Sequence, residues 1–403
     1  MLVKFKKYIR KFFKYRIYLD YASLTPIDRR VSDEINKFSS FEYANPSSFY
    51  KEGVMAKEVL KNTRAEIANY IHSHPSEIYF TSGGTESNNL AILGTIESLH
   101  EKGVDYEKMH VLISVIEHSS IRECANHLSN LGVEVELISV DENGIVLLDE
   151  IKNKIKPNTV IVSVMTVNNE IGSVEPIREI AKVVRYFRTK FRQEDSPFNF
   201  QDFNYPILHT DASQAFLFEE LNVEKLGVDL MTLDSSKVYG PRGFGLLCVK
   251  KNTPITAIIF GGGQESGLRS GTESIPAIRG FAKALEIVNK DREVEVKRVN
   301  QLRDYFIKEL KKIREDIKVN GDGSPFILNF TIPKIDNEFF VLQLDAKGIS
   351  CSTKSSCLGD EDDSYVLNAI GVKSKESVRF SFGRWTTKRD LQKTIEVIRK
   401  ILN

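Results

Sequence analysis

The chain has 403 residues, of which 41% are hydrophobic and 28% are charged, and its formal net charge is +1. These values are typical of a globular protein long enough for two domains, and the balanced charge does not favour nucleic-acid binding. Its four cysteines are too few for a disulfide framework and lack metal-ligand spacing, so we expect no metal site and a reducing, cytoplasmic setting.

Residues 1–16 are strongly basic, with seven lysines or arginines and no acid. Their larger apolar residues recur at roughly helical spacing, at Phe5, Tyr8, Ile9, Phe12 and Phe13. We interpret this segment as a basic N-terminal extension whose helix packs on the protein and leaves its charged face in solvent. Contact with a membrane surface is the less favoured alternative.

From about residue 77, short apolar runs alternate with amphipathic stretches. The amphipathic stretches predict helices, for example at Glu86–Glu101 and Ile177–Phe187. The apolar runs predict strands at Ile78–Ser82, Val111–Val115, Val133–Ile138, Val160–Val167, Ile207–Asp211, Leu230–Leu233 and Gly245–Val249. This alternation predicts an α/β domain over residues 17–275, with a mainly parallel central sheet and helices on both faces. Residues 188–205 break the pattern and predict a surface insertion.

The pattern changes after residue 276. A long charged helical stretch, Ile287–Ile313, precedes a predicted strand at Phe326–Ile332 and a final strand near Val378–Ser381. These elements predict a smaller α+β domain over residues 276–403.

A small polar loop in this second domain, residues 352–360, carries Cys357. An exposed cysteine in such a loop suits nucleophilic chemistry. Cys124, Cys248 and Cys351 lie in apolar or helical surroundings, which is typical of packing residues.

Polar and reactive residues fall where predicted strands end, at Gly83–Thr85, His118, Asn169, Asp211 and Lys237. Ligands of parallel α/β sheets bind beyond the carboxyl ends of the strands, so these residues predict an enzyme site. Gly83, Gly84 and the helix start that follows them offer backbone N–H groups to an anion. A simple tight turn remains the alternative for this segment.

Each of the other residues has a functional interpretation and a structural alternative. Lys237, before a Gly/Pro-rich loop, suits a Schiff base but is also compatible with a surface lysine. Asp211 can pair with a pyridinium nitrogen or cap a helix. His118 can stack on a flat ring and move protons or be structural, and Asn169 offers amide donors. Arg379 can hold a carboxylate with two hydrogen bonds or form a structural salt bridge.

Together and in this order, the segments resemble the cysteine desulfurases of the IscS/NifS group, within the class V, fold-type I transferases that use pyridoxal 5'-phosphate (PLP). The similarity runs from about Tyr18 to the end of the chain. It includes further segments typical of that group, at Tyr18–Ala22, Asn45–Ser48, Val167–Gly172, Arg269–Thr272 and Val366–Gly371.

The resemblance implies a homodimer that uses PLP to remove sulfur from L-cysteine and release L-alanine. Lys237 would hold the cofactor as a Schiff base, Asp211 its ring nitrogen and Gln214 its ring hydroxyl. His118 would stack on the ring and help to move protons. Asn169 would lie beside the ring oxygen and the substrate.

The resemblance also assigns the phosphate and the substrate. The phosphate would be bound by Gly84, Thr85, Ser236 and, from the other subunit, Thr272. Arg379 would bind the substrate carboxylate. Cys357, as a thiolate, would take the sulfur as a persulfide and pass it to an acceptor protein, such as an iron–sulfur scaffold or a thiolation factor.

The chain departs from the group just before Lys237. The group usually has Ser-x-His-Lys, whereas this chain has Asp234-Ser235-Ser236-Lys237. An ionised Asp234 would repel a dianionic phosphate, so we expect its side chain to turn away, or the phosphate to be held by Thr85, Ser236, Thr272 and backbone N–H groups.

Two kinds of alternative remain open at this point. One keeps the fold and changes the reaction, to a selenocysteine lyase or an aminotransferase of the same superfamily. The other is a non-catalytic binding partner with a degenerate PLP site, for which Asp234 is the main argument.

Overall fold

The computed structural model describes residues 16–40, 43–193, 205–321, 323–353 and 363–403. The predicted basic extension therefore lies outside the described residues, apart from Arg16, and so does Cys357. Within the described part of the chain, no helix has the length and apolar character needed to cross a membrane.

The chain is built from alternating strands and helices. The strands are β1 (Ile17–Tyr18), β2 (Ile78–Thr81), β3 (His110–Ser114), β4 (Glu134–Ile138), β5 (Thr159–Ser163), β6 (Ile207–Asp211), β7 (Leu230–Asp234), β8 (Gly245–Val249), β9 (Lys318–Asn320), β10 (Ile327–Thr331), β11 (Ile349–Ser350) and β12 (Ser377–Ser381). The helices are α1 (Arg29–Ser40), α2 (Lys51–Tyr70), α3 (Gly84–His100), α4 (Ser119–Asn130), α5 (Leu148–Lys154), α6 (Ile177–Gln193), α7 (Val223–Leu226), α8 (Ile275–Ile313), α9 (Asn337–Ala346), α10 (Tyr365–Ala369) and α11 (Lys388–Leu402).

These elements form two compact units. The larger unit comprises Thr25–Asn168 and Ser173–Glu293. The smaller unit comprises Asn169–Gly172 and the described residues of Met1–Leu24 and Val294–Asn403. The units divide inside α8, between Glu293 and Val294, whereas the sequence predicted a division near residue 276.

The larger unit contains a mainly parallel sheet in the order β2-β8-β7-β6-β5-β3-β4. The five strands β7, β6, β5, β3 and β4 run parallel to one another, and β8 runs antiparallel to both β2 and β7. Every residue of β3, β5 and β6 is buried, as expected for parallel strands covered on both faces. The predicted α/β architecture with a mainly parallel sheet is confirmed.

Helices α3 and α4 pack on this sheet through apolar side chains. Leu90, Ile92 and Ile96 of α3 belong to the same buried cluster as Ile113 and Ile161 of the strands. Burial of these side chains fixes the rotation of α3 about its axis. The first turn of α3 is thereby held in position at the edge of the sheet where functional residues were predicted.

The smaller unit has an antiparallel sheet in the order β12-β10-β9 and a parallel pair of β1 with β11. The chain after β1 runs beside β12, because Ser381 N donates to Leu19 O at 2.8 Å and Ala22 N donates to Ser381 Oγ at 2.9 Å. These bonds bring Asp20 alongside the strand that carries Arg379.

Several predicted bounds were wrong. The ladder of β5 ends at Ser163 rather than Val167. Beyond it, Val164 N and Thr166 N still donate to β6, and Val167 turns to an isolated bridge with Val174. Helix α6 continues to Gln193, so residues 188–193 are not part of an insertion, and residues 194–204 lie outside the described part. Arg188 explains the longer helix, because it pairs with Asp229 and donates to the Pro206 carbonyl at 2.7 Å.

Candidate active site

Two predicted site residues stand at the carboxyl ends of neighbouring parallel strands in the larger unit. Asp211 is the last residue of β6 and is 8% exposed. Lys237 ends a short 3-10 turn, Ser235–Lys237, that follows β7 directly. Since β6 and β7 pair in parallel, the two residues emerge from the same edge of the sheet. This is the edge at which α/β proteins bind their ligands.

The Asp211 carboxylate is held in place by two donors. Asn88, in the second turn of α3, donates its Nδ2 to Oδ2 of Asp211 at 2.8 Å. The backbone N–H of Ser213 donates to Oδ1 at 2.9 Å. Gln214 follows in the same buried turn. The acid predicted for a ring nitrogen therefore has a fixed orientation.

His118 is linked to Asp211 through side chains. It caps the start of α4, where its Nδ1 accepts a hydrogen bond from Ser120 N at 3.2 Å and lies 2.9 Å from Ser120 Oγ. Asn88 Nδ2 donates to the same Ser120 Oγ at 2.9 Å. A backbone N–H can only donate, so Nδ1 is the acceptor in the bond from Ser120 N, which favours the tautomer with the proton on Nε2.

Burial shifts the pKa of two titratable neighbours of Asp211 in the direction that favours their neutral forms. Glu117 is fully buried, and that burial, reinforced by the Asp211 and Glu175 carboxylates, raises its pKa well above the usual range. His209 lies on β6 two residues before Asp211, and burial lowers its pKa although Asp211 opposes this effect. Burial therefore favours the neutral form of both side chains beside Asp211.

The start of α3 is occupied by the carboxylate of Asp234. Oδ2 of Asp234 accepts a hydrogen bond from Gly84 N at 3.0 Å, and Oδ1 accepts one from Ser236 N at 2.7 Å. The expectation that Asp234 turns away from the predicted phosphate site is therefore wrong. The physical reason is that the unsatisfied N–H groups at a helix start attract an anion, and Asp234 supplies it.

The other predicted phosphate ligands differ in accessibility. Ser236 is buried, and its carbonyl accepts from Thr25 N at 3.0 Å and from Thr25 Oγ1 at 2.7 Å. Thr85 and Thr272 are exposed. Gly83 has a φ of 147°, a conformation that favours glycine and lets the chain turn into α3.

The residues at this edge fit PLP, with one exception. Ser213 Oγ and Ser235 Oγ are buried and have no hydrogen-bond partner among the described residues. A Cβ placed on Gly84 would lie 3.5 Å from Ser213 Oγ and 3.2 Å from Asp234 Oδ2. The Ser213 hydroxyl and the Asp234 carboxylate therefore lie beside the first turn of α3. An unpartnered buried hydroxyl such as Ser213 Oγ beside a helix start suits an oxygen of a phosphate. Asp234 is the exception.

Arg379 lies in the smaller unit and is 1% exposed. Its Nη1 donates to the Asn169 carbonyl at 2.8 Å, and its Nη2 donates to Asp20 Oδ1 at 2.9 Å and Ser23 Oγ at 2.6 Å. Its Nε has no hydrogen-bond partner among the described residues. The structural salt bridge considered as the alternative is therefore present, between Arg379 and Asp20. The Nε–H group of Arg379 can still donate a hydrogen bond to a ligand.

The three described cysteines are thiols. Burial raises the pKa of Cys124 and of Cys248 to about 12, and it raises the pKa of Cys351 as well. Reactive cysteines need a thiolate, so these three residues fit the packing role predicted for them.

Sequence reasoning missed Asn88, Ser120 and Asp20. Asn88 lies one turn beyond Gly84 and Thr85 in the same glycine-led segment, and helical spacing of three to four residues could have suggested that it faces the same site. Ser120 lies two residues after His118, as a helix-capping partner would. Asp20 is 359 residues from Arg379, and no sequence signal links them.

Known proteins share both the sequence and the fold. The chain matches the aminotransferase class-V family over residues 17–191 and 200–394. A protein named cysteine desulfurase IscS from Dictyoglomus turgidum is 37% identical over 396 residues, which cover 96% of this chain and 95% of the relative. Cysteine desulfurase IscS 1 of Archaeoglobus fulgidus is 39% identical over 388 residues, which cover 94% of this chain and 95% of the relative.

The fold also matches a solved structure described as a NifS-like protein. The two share 30% identity and a TM-score of 0.85, and the match covers 96% of this chain and 99% of that one. The predicted fold-type I architecture and the predicted resemblance are thereby confirmed. The chain belongs to the aminotransferase class-V family and, within it, to the IscS/NifS group.

Proposed function

We propose that the chain is a cysteine desulfurase that converts L-cysteine to L-alanine and collects the sulfur as a persulfide on Cys357. The observation that carries this proposal is the pair formed by Asp211 and Lys237 at the ends of β6 and β7, with Asp211 fixed by Asn88 and Ser213. The names of the two similar desulfurases support the choice of substrate.

We propose PLP as the cofactor. When bound, PLP acts as an electron sink that stabilises negative charge at the substrate's α-carbon. Lys237 would hold it covalently, and Asp211 would keep a proton on the ring nitrogen. Gln214 would donate to the ring hydroxyl oxygen. The fixed orientation of the Asp211 carboxylate, which accepts from Asn88 Nδ2 and Ser213 N, supports this role.

His118 is the proposed stacking and proton-moving residue. Its Nδ1 is engaged with Ser120, and Nε2 would be the atom that exchanges a proton with bound substrate. Asn169 would lie beside the substrate. Arg379 would bind the substrate carboxylate through donors that it does not use for Asp20.

Cys357 would be the sulfur-accepting nucleophile. Its thiolate would supply an electron pair to the sulfur of bound L-cysteine, forming an S–S bond as the C–S bond breaks. Protonation of the released carbon then completes L-alanine. The persulfide sulfur would pass to an acceptor protein, such as an iron–sulfur scaffold or a thiolation factor.

We further propose that the enzyme is a homodimer in which Thr272 of one subunit reaches the phosphate of the other. Thr272 is exposed in the single chain. Large apolar side chains are also exposed along residues 43–55, including Phe49 at 100% and Tyr43 at 80%. Exposed apolar clusters of this kind are typical of surfaces that a partner covers. Light scattering tests this directly, and a monomer at working concentration would contradict it.

A reducing, cytoplasmic setting is the proposed environment. The described cysteines Cys124, Cys248 and Cys351 are free thiols, which a reducing compartment maintains.

The function is tested with the purified full chain, PLP, L-cysteine and a reductant. We expect L-alanine and sulfide in equal amounts. Cys357→Ala should abolish both, while the matched variant Cys351→Ala, which changes a half-buried cysteine six residues away in sequence, should retain both. Alanine formation that survives in Cys357→Ala would contradict the role of Cys357. Turnover of selenocysteine but not cysteine, or transfer of an amino group to a keto acid, would favour one of the two related reactions.

A further inference from the structure

Asp234 fills the anion-binding place at the start of α3 with a group of the chain itself. Its two carboxylate oxygens accept from Gly84 N and Ser236 N, at 3.0 and 2.7 Å. Within the described part of the chain, the Asp234 carboxylate accepts from these two backbone N–H groups and forms no salt bridge with a lysine or arginine.

A phosphate cannot share these donors with Asp234. Each backbone N–H has a single proton, and both are already used by the carboxylate. A phosphate brought to the same place would also meet a like charge at close range. Ser213 Oγ is buried beside Gly84 and has no hydrogen-bond partner in the described residues. The start of α3 therefore offers a ligand a hydrogen-bonding group that Asp234 does not use.

We propose that Asp234 is an internal competitor for the phosphate group of the cofactor. The chain would then hold PLP mainly through Lys237 and Asp211, and the phosphate would add little to the affinity. This inference rests on the proposed function, since it assumes that PLP binds at this edge of the sheet.

The test compares PLP with pyridoxal, which lacks the phosphate, on the cofactor-free full chain. Dissociation constants are measured from aldehyde absorbance for the unaltered protein, for Asp234→Asn and for Asp234→Ser. We expect both variants to bind PLP about tenfold to a hundredfold more tightly, because a like charge is removed from the phosphate. Their affinity for pyridoxal should not change.

A matched control is Asp336→Asn. Asp336 also caps a helix, accepting from Phe339 N at 2.8 Å at the start of α9 in the smaller unit. Its replacement removes the same charge and should leave both affinities unchanged. Inorganic phosphate should compete with PLP in Asp234→Asn and much less in the unaltered protein.

The outcomes separate the two proposals. Equal PLP affinity in the unaltered protein and both Asp234 variants would overturn this inference alone, provided that pyridoxal binds. An equal change in pyridoxal and PLP affinity would do the same, because it would reflect a general effect on the fold. Failure of every protein to bind either aldehyde would overturn the proposed function and this inference with it.

Discussion

Asp234 in the larger unit and Asp20 in the smaller unit each accept hydrogen bonds from groups that are proposed to bind an anionic part of a ligand. That part is the cofactor phosphate for Asp234 and the substrate carboxylate for Asp20. Asp234 accepts from the N–H groups of Gly84 and Ser236, which have one proton each. Asp20 accepts from Arg379, whose guanidinium has five N–H bonds and whose Nε has no partner in the described residues. Arg379 can therefore keep Asp20 and still bind a carboxylate, whereas a phosphate must displace Asp234.

The difference shows how the kind of donor decides what a nearby carboxylate does. Beside a buried guanidinium, a carboxylate balances the charge and orients the remaining donors. Beside backbone N–H groups, a carboxylate occupies the single proton of each donor and leaves none for another anion. The same residue type thus supports one anion site and obstructs the other.

The largest loss of unfolding free energy is expected when Arg379 is replaced and its ion pair with Asp20 is removed. Arg379→Met should lower the free energy of unfolding by about 3–5 kcal/mol, because Asp20 and the polar groups around it lose their buried partner. Denaturant unfolding of the cofactor-free chain measures it. Arg379→Lys is the control, since it restores the charge without the planar fork and should recover part of the loss. A loss below about 1 kcal/mol in Arg379→Met would show that Asp20 does not depend on it.

The second effect concerns pH and the buried acids of the larger unit. Burial raises the pKa of Glu175 from its usual 4.5 to about 7. Between these values the unfolded chain releases the Glu175 proton and the folded chain keeps it. Stability should therefore fall as pH rises from about 4.5 to about 7, by about 3 kcal/mol from this group.

Glu175→Gln tests that dependence, since it removes the titrating group. Unfolding free energies of the two proteins at about pH 5 and about pH 8 should differ in slope, with the flatter profile in the variant. Glu117, whose pKa is also raised by burial, contributes a slope of the same sign in both proteins. Parallel profiles would contradict a raised pKa for Glu175.

A third, smaller effect is expected at the side-chain network that links His118 to Asp211. Asn88→Ala should cost about 2 kcal/mol of unfolding free energy, because Ser120 Oγ and Asp211 each lose a buried donor. The control, Asn126→Ala, changes an exposed asparagine on α4 and should cost little. Equal losses in the two variants would show that the network does not hold Asp211.

The smallest effect concerns Asp234 in the cofactor-free chain. Asp234→Asn should lower the unfolding free energy by about 1 kcal/mol, since an amide can replace only one of the two accepted bonds. Thermal unfolding without cofactor measures it. A clear gain in stability would mean that the Asp234 carboxylate destabilises the start of α3. That result would contradict the stabilising role given to its two hydrogen bonds.

The sequence predicted the sheet well because its strands are buried on both faces and read as short apolar runs. Asp211 and Lys237 were predicted as site residues because strand ends in such sheets are ligand sites, and the structure places both at the same edge of the sheet. The bounds of β5 and α6 were misjudged, since tertiary pairs such as Arg188 with Asp229 extend or end an element beyond its local pattern. The orientation of Asp234 depends on Gly84, 150 residues away, and local patterns do not carry such pairings.

The most direct measurement of the central claim is a single turnover without reductant. The full chain is loaded with PLP, mixed with L-cysteine and then digested with a protease. The masses of its cysteine-containing peptides are measured by mass spectrometry, and the L-alanine formed is quantified. We predict one added sulfur atom on the peptide that contains Cys357, in an amount equal to the L-alanine formed. L-alanine without added sulfur on Cys357, or sulfur found on Cys351 instead, would contradict the account.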